Sequence, residues 1–209
     1  MALRGYLQGY RGYADTQALG DALKALQAQG LDQLPLPGSG QTLVRWRGLA
    51  QVAGHDLRLC KLFEGHTDAL AIIAELDAPL PPLGSTWGMW AAEPPNAKVR
   101  VYREGHRLRL EGRKAWCSGA AVVSHGLLTA WDEQDRQQLV AVQMDQPHVT
   151  VTDEGWQAVG MAATGSVEVS FDGAAGIAVG TPGDYLARPG FWQGGIGIAA
   201  CWYGAAQRL

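Results

Sequence analysis

The sequence predicts an α+β protein in three parts: a helical N-terminal domain over residues 1–84, an antiparallel β-barrel domain over 85–187, and one apolar helix over 188–209. Three observations carry this reading. Apolar residues recur every three to four positions through roughly the first eighty residues, then every second position through roughly the next hundred. Between the two regimes lies Pro79-Leu80-Pro81-Pro82-Leu83-Gly84, where fixed φ angles and missing N–H donors end helical character. Residues 191–206 then carry no charge.

Asp15 caps the first helix, whose Leu19, Ala22, Leu23 and Leu26 fall at i, i+3, i+4 and i+7, with Gly30 as its stop. Pro35, Pro37, Gly38 and Gly40 separate it from a second periodic segment over 41–55. A third, over 56–76, carries Cys60, Phe63, Leu70 and Ile73 on one face. After the prolines, residues 98–103, 107–114, 120–131, 139–144, 149–152 and 166–171 read as short strands, separated by turn signals such as Glu104-Gly105 and Asp153-Glu154-Gly155. Short strands with no helices between them imply a barrel or sandwich, not a βαβ sheet. Beyond Pro189 the uncharged run reads as the start of a buried helix.

Composition narrows the class. Hydrophobic residues make up 47% and charged residues 18%, which suits a folded globular chain. The formal net charge is −3 with Lys and Arg scattered, which argues against nucleic acid as a partner. Cys60, Cys117 and Cys201 are far apart and odd in number, so they read as free thiols in a reducing compartment. Met1-Ala2-Leu3-Arg4-Gly5-Tyr6 lacks the apolar core of a signal peptide, and the apolar tail is too short and glycine-rich for a membrane span. A cytoplasmic location is expected.

The segment Gly112-Arg113-Lys114-Ala115-Trp116-Cys117-Ser118-Gly119-Ala120 carries the chemistry. Residues two apart on a strand share a face, so Trp116 and Ser118 are expected to address one ligand. A planar ligand with a hydrogen-bonding edge suits an indole and a hydroxyl. The segment resembles the flavin-contacting strand of the acyl-CoA dehydrogenases. Three further stretches match that family in its order. Trp90-Ala91-Ala92-Glu93-Pro94 resembles its first flavin-facing strand, and Trp156-Gln157-Ala158-Val159-Gly160-Met161-Ala162-Ala163-Thr164-Gly165-Ser166 its Gly-Met-Arg-x-Thr-Gly-Ser turn. The third, Tyr185-Leu186-Ala187-Arg188-Pro189-Gly190-Phe191 with Gly194 and Gly197, resembles the entry to its C-terminal four-helix bundle.

The resemblance implies an FAD-dependent oxidoreductase that removes a proton from the α-carbon of an acyl thioester and passes a hydride from the β-carbon to the flavin. It implies that Trp116, Cys117 and Ser118 contact the ring, with Ser118 at N5, and that the backbone of Trp90, Ala91 and Ala92 flanks the pyrimidine side. An acyl-CoA or related small molecule is the implied substrate, and a homo-oligomer the implied assembly where the bundle is present. Departures accompany the matches. Pro95-Asn96-Ala97-Lys98 replaces a small-residue turn, Ala92 a threonine, and Ala162 an arginine. The family's catalytic base is a bundle carboxylate, and no Glu or Asp follows Asp184. No catalytic residue is therefore assigned, and the 209 residues alone are expected to be inactive. A non-catalytic binding module and a flavin-dependent monooxygenase of the same fold are the alternatives.

Other motifs read as structural. Gly195-Ile196-Gly197-Ile198-Ala199-Ala200 lacks the preceding strand of a dinucleotide fold. His55, His66, His106, His125 and His148 show no metal-ligand spacing, so no metal is expected. Ser118 and Ser166 lack a nucleophile elbow. Arg45 and Arg47, flanking Trp46, read as residues snorkelling from a helix face, and Glu93 as a strand-end residue without a catalytic role.

Overall fold

Four helices form the N-terminal layer: α1 (Ala2–Leu7), α2 (Thr16–Ala28), α3 (Thr42–His55) and α4 (Leu57–Glu75). The structure is a computed structural model that describes residues 2–9, 12–79, 81–105 and 107–209; Leu80 of the proline run and His106 lie outside the described residues. Asp15 caps α2 by accepting from the Ala18 amide at 2.9 Å. Asp56 caps α4 by accepting from the amides of Arg58 and Leu59 at 2.8 and 3.1 Å. Such caps satisfy N–H groups that the helix itself leaves unpaired. Leu19, Ala22, Leu23 and Leu26 are all buried, as their spacing predicts. Arg45 does not snorkel. It lies in register with Leu49 and Val52 on the inner face of α3 and donates to the carbonyls of Pro35 and Thr67 at 3.2 and 3.3 Å.

Seven strands follow: β1 (Trp87–Trp90), β2 (Val99–Glu104), β3 (Arg107–Cys117), β4 (His125–Trp131), β5 (Gln137–Gln143), β6 (Val149–Gly155) and β7 (Val167–Val179). Pairings run β2–β3–β7–β5–β4 and back to β2, which closes a five-stranded barrel; β1 adds to β4 and β6 to β7. The barrel is mixed, where the alternation predicts an antiparallel one. β1 and β2 both pair with β4 in parallel. A parallel pair needs a long connection, and the intervening β2–β3 hairpin gives β1 and β4 that length. Several strand limits also differ, two of them by five residues or more. Residues 119–124 form a turn in which the amides of Val122 and Val123 both bond to the Gly119 carbonyl, so β4 starts at His125. β7 continues past Asp172-Gly173 through a bulge opposite Leu110 and Glu111.

One core joins the helices to the barrel, with Leu23, Leu59 and Phe63 in the same cluster as Val99, Leu110, Leu128 and Phe171. A polar bridge reinforces the junction. His66 is fully buried; its Nδ1 accepts from the Trp87 amide at 3.2 Å, and its Nε2 lies 3.1 Å from Asp32 Oδ2. Since Nδ1 accepts, the ring proton sits on Nε2 and is donated to Asp32. Burial pushes the Asp32 carboxyl up, but the adjacent His66 ring and the bonds from Gln33 and the Asp32 backbone together outweigh it and leave the group below the ordinary range.

The tail forms α5 (Asp184–Ala187), α6 (Phe191–Gly195) and α7 (Gly197–Ala206). Residues 188–209, expected as one buried helix, hold two, α6 and α7, and these are not buried all round: Trp192, Ile196, Trp202 and Tyr203 are exposed. The tail's cover comes from α3 rather than from the barrel. Glycines permit the approach, since a Cβ at Gly204 would overlap the Ala50 backbone and one at Gly54 would lie 2.9 Å from the Gly204 carbonyl oxygen. Buried Arg188 ties the tail to α4 through Glu75 at 2.8 Å. No helix among the described residues is long and apolar enough to cross a membrane.

Gly204→Ala should therefore push α7 off α3 and cost about 1–3 kcal/mol. Gly5→Ala in α1, where nothing lies within 4 Å, should be neutral or slightly stabilising. Urea unfolding of the two variants against the parent measures the contrast.

Candidate functional site

The site residues sit where β3 changes phase. Leu108, Leu110 and Lys114 fall on the buried parity of the strand. Continued alternation would bury Trp116 as well. A bulge between Lys114 and Cys117 intervenes, and Trp116 takes a left-handed backbone at φ +57°. One extra residue reverses the faces. Ala115 and Cys117 turn inward, and the indole of Trp116 turns out to 51% exposure.

This corrects the expectation that Trp116 and Ser118 share one strand face, because the strand ends at Cys117 and Ser118 belongs to the turn beyond it. Cys117 is expected at the ring beside them. Its thiol is fully buried, bonded to the Lys114 carbonyl at 3.2 Å and pushed up by burial, so only its backbone can meet a ligand.

The structure brings Trp90 and Ser118 together. The Trp90 indole N–H donates to the Ser118 carbonyl at 3.1 Å, and its ring lies across Gly88 and Gly126, where any Cβ would collide with it. Trp90 is thus a buried strut under the turn, 3% exposed, while Ala91 and Ala92 run on half-buried beyond the end of β1. The crevice between α4 and β1, lined among others by Trp90, Met89 and Ser118, is too narrow to hold a water molecule, while the indole of Trp116 lies open to solvent.

Ser118 heads a row of hydroxyls whose proton order is determined. Thr164 Oγ1 donates to the Met161 carbonyl at 2.7 Å. Its proton is then spent, so Ser166 Oγ must donate to Thr164 across 2.9 Å, and Ser118 Oγ must donate to Ser166 across 2.7 Å. Ser118 Oγ is left with lone pairs only. Toward any further group it is an acceptor.

A second network fixes the strands that carry these residues, and the motif comparison missed it. Lys114, 1% exposed, donates from Nζ to the Thr129 carbonyl and hydroxyl at 2.7 Å each, and lies 3.3 Å from Glu93 Oε1. Glu93 also accepts from the Thr129 hydroxyl at 2.6 Å and the Trp131 indole at 3.0 Å. Thr129 sits where the edge of β4 passes from β1 to β2, so its carbonyl faces a gap that the ammonium fills. Burial lowers the Lys114 ammonium from its ordinary value, and Glu93 opposes that shift. The parity shared with Leu108 and Leu110 was the available sequence signal. Among the described residues no cluster of His, Cys, Asp and Glu could hold a metal ion.

No protein-family model matches the chain, and no curated protein does. Solved structures do. KijD3, in complex with FMN and dTDP-3-amino-2,3,6-trideoxy-4-keto-3-methyl-D-glucose, is similar at 20% identity over 90% of this chain and 54% of that one, with a TM-score of 0.72. TdsC from Paenibacillus sp. A11-2, in complex with FMN and indole, is similar at 19% identity over 92% of this chain and 61% of that one, TM-score 0.68. An FAD-dependent dehydrogenase is similar at 18% identity over 99% of this chain and 64% of that one, TM-score 0.70. The chain spans less than two thirds of the length of each, and at these identities the likeness establishes the fold, shared with flavin-binding proteins.

Removing one partner of a buried ion pair leaves the other uncompensated, so Lys114→Met should cost about 3 kcal/mol. Adding Glu93→Gln to it should recover part of that loss. Denaturant unfolding of the two single variants and the double variant reads the coupling.

Proposed function

We propose that the chain forms the flavin-contacting part of a flavin-dependent oxidoreductase with an acyl-CoA dehydrogenase-like fold. The observation that carries this reading is an exposed indole, Trp116, held by a bulge next to the acceptor Ser118 at the head of a hydroxyl row. The residues present fit the ring of a flavin. Trp116 offers an apolar face, Ser118 Oγ a hydrogen-bond acceptor for the ring edge, and the half-buried chain at Ala91 and Ala92 a flat flank. Cys117 takes part through its backbone. The side chain of Trp90 supports the turn from beneath. A bound flavin, FAD or FMN, would take up the hydride from the substrate, which in the acyl-CoA dehydrogenase reading is an acyl thioester oxidised between its α- and β-carbons.

The protein's own contribution is positional and electrostatic. With its proton committed to Ser166, Ser118 favours a ring edge that bears N–H over one that bears a bare nitrogen. That is the reduced form at N5. The Lys114–Glu93 tie holds β3 against the chain that follows Ala92, so the ring face and its flank stay in register.

A second reading, a monooxygenase that uses reduced flavin and oxygen on its substrate, gains support from one observation. The two buried or half-buried carboxylates nearest Trp116 along the pairing are ion-paired, Glu93 with Lys114 and Glu168 with Arg113 at 3.1 Å, while the exposed Glu154 lies 3.9 Å from Arg113. Glu93 and Glu168 are therefore not placed as free bases for removing a carbon-bound proton.

Titration of FMN and FAD against the purified chain, followed by flavin fluorescence, should show saturable quenching. Trp116→Asn tolerates the left-handed backbone but removes the indole, and should weaken binding about tenfold, the scale of one stacked ring. The same substitution at exposed Trp156 should change nothing. Spectroelectrochemistry should give the bound flavin a potential more positive than that of free flavin, and Ser118→Ala should remove about 30 mV of the difference, a tenfold change in the ratio of affinities for the two forms. Unquenched flavin at millimolar protein would end this reading.

A further inference from the structure

A groove of ≈ 660 Å³ opens between α1, α3 and α7, and none of its lining residues belongs to the Trp116–Ser118 patch. Each helix presents one face to it. Arg4 and Gln8 are a turn apart at the end of α1, Arg47 and Gln51 a turn apart on α3, and Tyr203 and Gln207 a turn apart at the end of α7. Arg208 and His55 line it as well. Among the described residues no carboxylate does, in a chain whose net charge is −3. Asp56, next to the groove residue His55 in sequence, caps α4 and pairs with Arg58 at 2.6 Å.

The cations are uncommitted. Among the described residues neither Arg4 nor Arg47 has a hydrogen-bond or ion-pair partner, and both are exposed. Arg208 spends only its Nε, on the Gly54 carbonyl at 2.8 Å. Neutralising helix ends does not account for three guanidinium groups here. The C-termini of α1, α3 and α7 all border the groove, and each carries at most about half a negative charge. Three whole positive charges exceed that sum by roughly 1.5 units, so the groove remains an anion site. The volume is that of a small-molecule pocket rather than of a single ion. Tyr203, 61% exposed and steadied by Gln207 Nε2 bonding to its hydroxyl at 2.8 Å, adds an aromatic face to the basic rim.

We propose that this groove binds a nucleoside diphosphate group, with Arg4, Arg47 and Arg208 on the phosphates and Tyr203 against the base. Guanidinium groups bond phosphate oxygens in pairs, and three of them around one cleft match the charge of a diphosphate better than that of a single carboxylate. The glycine contact that brings α7 against α3 is what places Tyr203 and Arg208 opposite Arg47. This site stands apart from the flavin reading, and either can fail alone.

The test is calorimetric titration of the full 209-residue chain with ADP, inorganic pyrophosphate and adenosine, at low and at physiological ionic strength. ADP and pyrophosphate should bind, ADP more tightly, both weakening with salt, and adenosine should not bind measurably. Arg4→Gln and Arg47→Gln should each weaken both anions about tenfold, as expected for loss of a charge-assisted bond. Both side chains are exposed and unpaired, so circular dichroism of these variants should match the parent. Tyr203→Ala should bring ADP down to the affinity of pyrophosphate. No binding of either anion at millimolar concentration overturns the proposal. So does binding that the Arg4→Gln/Arg47→Gln double variant leaves unchanged.

Discussion

A lysine with almost no access to solvent ties β3 to β4 and to the chain beyond β1. Lys114 reaches the one carbonyl of β4 that the change of neighbour from β1 to β2 leaves open, and Glu93 balances its charge. Such a pair gives little net stability once both groups have lost their water, and its value lies in geometry. It fixes β3 two residues before Trp116 and the extended chain one residue after Ala92. The residues on either side of the pair can therefore depart from regular strand packing. The bulge that turns Trp116 outward is tolerable because the tie directly before it does not move.

The tail follows a different logic. Its aromatic side chains are not distributed around a buried helix. Small residues, Gly197, Cys201 and Gly204, face α3, and the large ones face outward. Close backbone approach replaces side-chain interdigitation, and the helices meet through glycine. The same arrangement brings the ends of three helices around one basic groove. Packing and charge are set there by the same few positions.

Much of this was legible because it is local. Asp15 before Leu19, Ala22 and Leu23 announces a capped helix, and the change from a period near four to a period of two after the prolines announces the barrel. Arg45 could have been placed inside from its spacing to Leu49 and Val52, and Lys114 from its parity with Leu108 and Leu110. What could not be read depends on distant partners. The parallel pairing of β1 with β4 is decided by how the chain closes, not by either strand. The phase change at Trp116 is set by the register of β3 on β7. The direction of the hydroxyl row needs Ser118 and Ser166, 48 residues apart, to be neighbours. The family motif located Trp116 and Ser118 in the sequence, but not the turn that separates them.

His66 limits how this protein can move. Its ring holds a strand amide on one side and a loop carboxylate on the other, and both contacts are buried. Prising the helical layer from the barrel would strand three polar groups among leucine and tryptophan at the same moment. Separating the two layers therefore carries the cost of leaving all three groups unpaired at once. Local adjustment is cheaper in the short segments at the periphery, the bulge at Trp116 and the turn around Met161. The interior behaves as a fixed anvil.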